Sequence, residues 1–263
     1  MGRLTLGATA LLLMLSFQTA QGAITCETSD YRGTYAFYSV GALLVLPPAG
    51  APLLGTFAQS GTFTSDGQGN ITIESDASYN GLILPGPAVA TYTITPECVL
   101  TISLTLPFPL SVESKFTAIL SNNNREATVF ISDPPGTLVI GRHKKQDLRF
   151  CGVGDFRGAY KIDIDGYVSA PASRAGRFGR FGRLVADGDG RFTAWSFADY
   201  NGRLVEEQFS GTYDVTGRCK LTMNYNSNNE DIVISGHLSG HGEGAAIMLL
   251  SPSWAVSGTL SRQ

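Results

Sequence analysis

The sequence predicts an all-β protein built from two tandem antiparallel up-and-down β-barrels of about eight strands each. Three observations indicate this fold: a repeated set of landmarks, short apolar and polar alternations between turn motifs, and four cysteines that follow the repeat. Each unit has about eight strands whose edges must be hidden, and a closed barrel hides them more completely than a sandwich does. Two tandem β-sandwiches are the alternative.

The second half of the chain repeats landmarks of the first half in the same order. Solenoid repeats are about 20–50 residues long, so a unit of more than a hundred residues is a whole small domain. The matched segments are Asp30–Tyr35 with Asp155–Tyr160, Gly61–Gly69 with Gly182–Gly190, Tyr79–Gly81 with Tyr200–Gly202, and Thr91–Thr95 with Thr212–Thr216.

The N-terminal residues 1–23 have the pattern of a secretory signal peptide, with Arg3, an apolar centre at Leu11–Leu15 and small residues up to Ala23. The apolar run is shorter than the roughly 20 residues that a membrane span needs. We therefore expect cleavage, no membrane span in the mature chain, and a secreted or periplasmic location. The predicted domains are residues 24–146 and 147–263, joined by a short charged link at residues 142–149.

The composition argues against nucleic acid as a partner. The chain has 22 acidic and 19 basic residues and a formal charge of −3, and neither repeat is basic overall, as a nucleic-acid-binding domain would be. Charged residues make up only 16%, while glycine occurs 31 times. Together with many threonines, valines and aromatic residues, this favours strands and tight turns.

The four cysteines obey the repeat, because Cys26 matches Cys151 and Cys98 matches Cys219. Export would expose them to an oxidising compartment, where disulfides persist. Four cysteines allow three pairings. If each repeat folds alone, the bridges are Cys26–Cys98 and Cys151–Cys219. The chain has no Cys-x-x-Cys motif, so we expect structural bridges rather than redox or metal chemistry.

Taken in order, the first repeat shows strand patterns separated by turns. Thr34–Tyr38 alternates with the two-residue period of a half-buried strand. Asp66–Gly69 and Asp187–Gly190 are tight hairpin turns with glycine at left-handed positions. Leu43–Leu46, which precedes two prolines, is a strand or a loop. The predicted strands are Gly33–Val40, Leu54–Thr64, Asn70–Asp76, Val89–Thr95, Val99–Leu106, Val112–Leu120, Glu126–Ser132 and Thr137–Arg142.

These motifs resemble a family of secreted bacterial repeat domains without an assigned activity. The resemblance rests on a Gly-x-Tyr first strand, an Asp-Gly-x-Gly turn and a Thr-Tyr-x-x-Thr-x-x-Cys strand, and it covers both halves of the mature chain. At the level of fold alone, the units are similar to calycin-type barrels such as lipocalins, avidin and the allene oxide cyclase-like barrels. A shared fold does not assign a reaction, and no catalytic residue set can be transferred.

One stretch of the second repeat has an arginine at every third position with phenylalanines between, whereas the matching stretch Leu53–Gly61 is neutral. Arginine binds carboxylate or phosphate and phenylalanine stacks on rings, so the stretch is a candidate surface for an acidic glycan. A strand would place arginines three residues apart on opposite faces, so a one-sided surface needs a bulge. Otherwise the stretch is an ordinary hairpin strand. The candidate ligand-binding residues are Arg174, Arg177, Phe178, Arg180, Phe181 and Arg183.

Other candidate sites are weaker. His237 and His241 would lie about 13 Å apart in a continuous strand, too far for one metal ion unless a turn brings them together. Asp163–Gly166 and Asp187–Gly190 resemble fragments of calcium loops but lack the later bidentate carboxylate. There is no Gly-x-Ser-x-Gly motif of a nucleophilic serine. No catalytic residue, metal or cofactor is expected.

The sequence therefore predicts an exported, non-catalytic protein that binds a small apolar ligand or a glycan. A structural or interaction protein of the cell envelope or matrix is the first alternative, and an isomerase or cyclase of the calycin-barrel kind is the second. An open apolar lumen with a few polar groups would favour ligand binding, whereas a filled lumen would favour structure. An enzyme would need a titratable residue with a shifted pKa in such a cavity.

Overall fold

The computed structural model describes residues 25–44, 54–105, 113–121, 123–133, 137–147, 150–227 and 230–263. The predicted signal peptide, residues 1–23, lies outside the described residues. So do residues 45 and 46 of the predicted strand or loop, residues 148 and 149 of the link, and the predicted strand ends Leu106 and Val112. Within the described residues, no helix is long and apolar enough to span a membrane.

The first half of the chain forms a closed antiparallel barrel, which we call barrel 1. Eight strands form the ring, because β1 pairs with both β2 and β9, and β2 pairs with β3. The short strand β4 adds to one end of β3, and the sequence did not predict it. The strands are β1 Arg32–Leu43, β2 Gly55–Asp66, β3 Asn70–Tyr79, β4 Leu82–Pro85, β5 Ala88–Ile94, β6 Val99–Thr105, β7 Glu113–Ser121, β8 Glu126–Asp133 and β9 Thr137–Lys145.

The second half forms barrel 2, in which eight consecutive strands close into a ring. The fold class predicted from the sequence, two tandem antiparallel barrels, is therefore confirmed. A three-residue 3-10 turn precedes each barrel, at Thr28–Asp30 and Val153–Asp155. The strands are β10 Arg157–Val168, β11 Gly176–Asp187, β12 Arg191–Tyr200, β13 Arg203–Val215, β14 Lys220–Ser227, β15 Glu230–Ser239, β16 Gly244–Leu249 and β17 Trp254–Arg262.

The repeated Tyr-Asn-Gly motif is a hairpin turn. Asn80 and Gly81 have φ values of 53° and 89°, and Asn201 and Gly202 have 52° and 90°. Two successive positive φ values define the turn whose twist matches that of antiparallel strands, and Asn-Gly is its preferred sequence. The motif therefore fixes the register of β3 and β4 in barrel 1 and of β12 and β13 in barrel 2.

One end of each barrel is closed by a disulfide and a tyrosine. The predicted bridges Cys26–Cys98 and Cys151–Cys219 are both present. The hydroxyl of Tyr92 donates to the carbonyl oxygens of Thr28 and Tyr31, at 3.0 Å each. Its equivalent, Tyr213, donates to the corresponding turn of barrel 2. Two such disulfides indicate an oxidising environment, extracellular or periplasmic.

The two barrels pack against each other through the outer faces of β1–β3 and β15–β17. Ala58 forms a buried cluster with Met248 and Ala255 at the centre of this contact. At its two sides, Ser257 Oγ donates to the carbonyl oxygen of Ser39 and Ser78 Oγ donates to that of Trp254, each at 2.8 Å. Small side chains let the two sheets approach closely, which fixes the barrels against each other.

Candidate functional site: an open lumen in barrel 1

The lumen of barrel 1 contains a cavity of about 340 Å³. It lies between a cluster that includes Tyr31 and Tyr35 at one end and a cluster that includes Leu43 and Phe57 at the other. The volume falls within the range of about 300–1,000 Å³ that small-molecule sites occupy. The apolar side chains that line it are Phe37, Phe63, Ile73, Ala77, Tyr79, Leu84, Ala88, Ile102, Leu104, Phe116 and Val129.

The cavity leaves room for water beside its lining side chains. Four side chains that point inward from the strands of barrel 1 are only half-buried. The side chains at the same positions of barrel 2 are at most 7% exposed. At these four positions barrel 1 has open space that barrel 2 lacks, although three inward residues on β13 of barrel 2, Val205, Glu207 and Phe209, are also half-buried. The four pairs, barrel 1 first, are Phe37 and Ile162, Ile73 and Ala194, Phe116 and Ile234, and Val129 and Ile247.

The strand registers allow the two lumens to be compared position by position. Gln59 pairs with Ala77 in barrel 1, and Arg180 pairs with Ala198 in barrel 2, so Gln59 and Arg180 are equivalent. On the same basis, barrel 2 has the larger side chain at several inward positions, whereas at others, such as Ile73 with Ala194 and Phe116 with Ile234, barrel 1 has the larger one. The larger replacements at lining positions, from barrel 1 to barrel 2, are Ser39 to Ile164, Gln59 to Arg180, Gly86 to Glu207, Ala88 to Phe209 and Leu104 to Tyr225.

One of these differences, Gly86 to Glu207, falls where β4 and β5 are interrupted. Barrel 2 has one continuous strand, β13, whereas barrel 1 has two strands separated by residues 86 and 87. Proline cannot donate a ladder hydrogen bond, so Pro85 and Pro87 account for the break. Gly86, which lines the cavity, then stands where barrel 2 directs Glu207 inward.

Arg180 holds together the side chains that fill barrel 2. The residue is 4% exposed, and its guanidinium forms an ion pair with Glu207 and donates to the hydroxyl of Tyr225 at 2.9 Å. It also lies over the ring of Phe209 at 5.1 Å, a favourable cation–π arrangement. Tyr200 in turn donates to Glu207 at 3.0 Å. These contacts hold the guanidinium through its terminal nitrogens, whereas its buried Nε has no hydrogen-bond partner among the described residues.

The open lumen of barrel 1 retains a short row of polar groups. Gln59 Nε2 donates to Ser75 Oγ at 2.8 Å, and Ser75 Oγ donates to the carbonyl oxygen of Gly86 at 3.1 Å. Arg142 borders the cavity, but its position on β9 and its exposed side chain place its charge on the outside. The lumen therefore offers uncharged hydrogen-bonding groups on one wall of an apolar space.

A neutral histidine lies at the cavity's Tyr31 end. His143 Nε2 is 3.0 Å from the hydroxyl of Tyr31, and the imidazole packs edge-on against Phe63. Burial lowers the pKa of His143 from 6.5 to about 3. A general base works best when its pKa lies near the working pH. His143 is therefore a poor base at neutral pH and serves as an uncharged hydrogen-bonding partner.

The depressed pKa values predict that acid weakens the fold. His143 and His237 have pKa values lowered to about 3 and about 4 by burial, so the unfolded chain binds more protons than the folded chain below pH 6.5. The contribution of the two histidines to stability is then constant above this pH and falls as the pH drops toward 4. At pH 5, His143 alone should cost about 2 kcal/mol.

His143→Leu tests this expectation, because Leu260 occupies the same position in barrel 2. Chemical denaturation at pH 7.5 and pH 5 should show a smaller loss of stability in the variant than in the wild type. If the variant loses as much stability between pH 7.5 and pH 5 as the wild type does, His143 is not the residue whose protonation weakens the fold. His237→Leu is the comparison for the second histidine.

The structure separates the arginine-rich stretch onto two faces. The β10–β11 register runs without a shift from Gly176 to Asp187, so no bulge gathers the arginines on one side. Phe178 and Arg180 point into barrel 2 and are buried, while Arg177, Phe181 and Arg183 are exposed on the outside. Arg174 lies before the strand, 3.6 Å from Glu230, over the ring of Tyr200. A glycan surface there remains a prediction that rests on the three exposed residues.

The structure also shows where the candidate metal-binding residues lie. His237 is buried at the barrel–barrel contact, and His241 is exposed in the turn after β15. Asp187 Oδ1 accepts the backbone N–H groups of Asp189 and Arg191, as expected of a turn residue. Among the described residues, no group of three or more histidine, cysteine, aspartate or glutamate side chains could hold a metal ion.

The comparisons with known proteins found no relative from which a function could be inferred, so the inference of function rests on the lumen of barrel 1. No protein-family model matches the chain, and no curated protein matches it in sequence. The resemblance to secreted bacterial repeat domains therefore stays a prediction. What the structure itself defines is a tandem-barrel protein with one open and one filled lumen.

Proposed function

We propose that the protein is an exported, secreted or periplasmic binding protein that holds a small, uncharged and largely apolar molecule in barrel 1. The observation that carries the proposal is the cavity itself, present in one barrel and occupied by larger side chains in its equivalent. Ligand sites are typically apolar hollows with a few convergent polar groups. Barrel 1 has this composition, with Gln59 and Ser75 on its wall.

The sequence leaves ligand binding and a structural role as alternatives, and in this proposal each barrel has one of them. Barrel 2 has the filled lumen of a structural domain, with Phe178 and Trp254 packed at 5.1 Å. Barrel 1 has the open lumen of a binding domain. An isomerase or cyclase is less well supported, since burial shifts the pKa values of the lining residues His143, Tyr38 and Tyr79 in the direction that keeps each side chain neutral.

The absence of charged side chains pointing into the lumen indicates the chemistry of the ligand. An ion buried without a partner is costly, and the inward side chains that line this cavity are uncharged. A neutral molecule with one or two hydrogen-bonding groups meets both the apolar walls and the amide of Gln59. Charged metabolites are expected to be excluded.

Transplanting one filling residue of barrel 2 should abolish binding in barrel 1. Ala88→Phe places in the lumen the side chain that barrel 2 has at Phe209. We expect N-phenyl-1-naphthylamine, an apolar fluorophore, to bind the wild type with enhanced fluorescence and to bind this variant roughly tenfold more weakly or worse, a loss of about 1.4 kcal/mol or more.

The matched control is Val89→Phe, which adds the same ring at the next residue of β5, where the side chain is 73% exposed. It should bind the fluorophore like the wild type. Thermal unfolding of both variants shows whether they are folded. Equal binding by Ala88→Phe and the wild type would contradict a ligand site in the lumen, as would a wild type without any binding.

A further inference from the structure

Exposed apolar side chains of barrel 1 gather on the outer face of β7–β9, which we call the back face. Ile119, Phe130, Leu138 and Ile140 are between 45% and 67% exposed. They are contiguous, because Phe130 is paired directly with Ile140 and Leu138 lies two residues along the same strand. Contiguous exposed apolar patches on soluble domains commonly mark interaction surfaces.

A second apolar patch lies on the outer face of β10–β12 in barrel 2, which we call the front face. Phe181 is 55% and Trp195 is 41% exposed. Phe197 links them, with ring centroids 5.4 Å from Phe181 and 4.7 Å from Trp195. Three aromatic rings therefore lie side by side on an outer sheet surface.

The internal repeat shows that the equivalents of these two exposed faces bind each other within the chain. The front face of barrel 1, on β1–β3, docks on the back face of barrel 2, on β15–β17, as described above. Each exposed patch occupies the equivalent of one of these two docked faces. The back-face equivalents are Ile119 with His237, Phe130 with Met248, Leu138 with Ala255 and Ile140 with Ser257. The front-face equivalents are Ala58 with Gly179, Ser60 with Phe181, Glu74 with Trp195 and Asp76 with Phe197.

We propose that the front face of barrel 2 in one copy docks on the back face of barrel 1 in another copy of this chain. The contact would continue the barrel–barrel packing that the chain already contains, which is why a second copy is the expected partner. Gly179 replaces Ala58 at the centre, and a side-chain carbon built on it meets nothing within 4 Å. The space fits the larger Phe130 and Leu138, which replace Met248 and Ala255.

The contact is heterologous, because two different faces meet, so it generates either a ring or an open array. The two free faces approach each other at one edge, where Ile140 of the back face lines a crevice with Asp163 and Asp165 of β10. Each addition therefore turns in one direction. This curvature favours a closed ring of a few copies over a straight fibre.

Single substitutions on the two faces test the proposal with the full chain. Phe130→Ser alters only the back face and Trp195→Ser only the front face, and both side chains are exposed, so folding should persist. Mass photometry and sedimentation equilibrium of the wild type should show a discrete oligomer. Each variant should weaken assembly at least tenfold, while Val89→Ser, an exposed apolar change outside both faces, should leave it unchanged.

Mixing the two variants is the decisive measurement. Phe130→Ser retains an intact front face and Trp195→Ser an intact back face, so an equimolar mixture should form one-to-one dimers that neither variant forms alone. A wild type that is monomeric at high micromolar concentration would overturn the proposal. So would assembly of either variant alone at wild-type strength, because that result means that like faces meet.

Discussion

Replacing Glu207 with alanine should destabilise barrel 2 by about 3–5 kcal/mol, because it leaves the buried guanidinium of Arg180 without its anionic partner. The side chain of Arg180 is 3% and that of Glu207 is 11% exposed, so water cannot substitute for the missing carboxylate. Tyr200 would also lose the acceptor of its hydroxyl. The effect is large because several groups in the filled lumen depend on one carboxylate.

The neighbouring residue supplies a matched control. Glu206 points outward from the same strand and accepts a hydrogen bond from Trp195 on the surface, where a lost contact costs little. Both tryptophans of the chain, Trp195 and Trp254, lie in barrel 2, so tryptophan fluorescence follows the unfolding of this barrel. Equal stability losses in Glu206→Ala and Glu207→Ala would contradict a buried ion pair as the centre of barrel 2.

Removing the disulfide of barrel 2 should have an effect of similar size. The Cys151–Cys219 bridge closes a loop of 68 residues, and a closure of this length contributes roughly 4 kcal/mol in the loop-entropy model. The double variant Cys151→Ser, Cys219→Ser should therefore shift the denaturation midpoint seen by tryptophan fluorescence strongly downward.

The corresponding change in barrel 1, Cys26→Ser with Cys98→Ser, is the comparison. It should weaken binding of the fluorophore at intermediate denaturant while leaving the tryptophan transition of barrel 2 less affected. If removal of the Cys151–Cys219 bridge changes the midpoint by less than the equivalent of about 1 kcal/mol, the bridge does not stabilise the fold as the loop length implies.

The repeat made most of the fold accessible from the sequence. Matched cysteines led to the correct bridges, and the apolar and polar alternation between turn motifs such as Asp66–Gly69 led to two closed barrels. The strand β4 was missed, because Leu82–Pro85 precedes a Pro-Gly-Pro interruption and has no alternation of its own. Its position depends on pairing with β3, a tertiary contact that local patterns do not contain.

The site was harder to predict for a physical reason. Arg180 stands out in the sequence as part of a basic stretch, but its burial is decided by Glu207 and Tyr225, which are distant in the chain. The signal was nevertheless present. Comparing side-chain sizes at equivalent inward positions, such as Ala88 with Phe209, would have shown that one lumen is emptier than the other.

The contact between the two barrels could not be predicted from the sequence. Ala58, Ser78 and Ser257 are small residues on outward strand positions, where such side chains are usually exposed to water. Only the arrangement of the two barrels shows that they are buried. The same arrangement shows that the exposed Phe130 and Trp195 occupy the equivalents of docked faces. From the strand patterns alone, they would be interpreted as isolated surface residues.

Xenon binding tests the difference between the two lumens most directly. Xenon enters open apolar cavities and is excluded where side chains fill the space. A crystal of the full chain pressurised with xenon should show an anomalous peak inside barrel 1, among Phe37, Ile73 and Phe116, and none in the lumen of barrel 2. An empty barrel 1, or equal peaks in both barrels, would contradict the division into one open and one filled barrel.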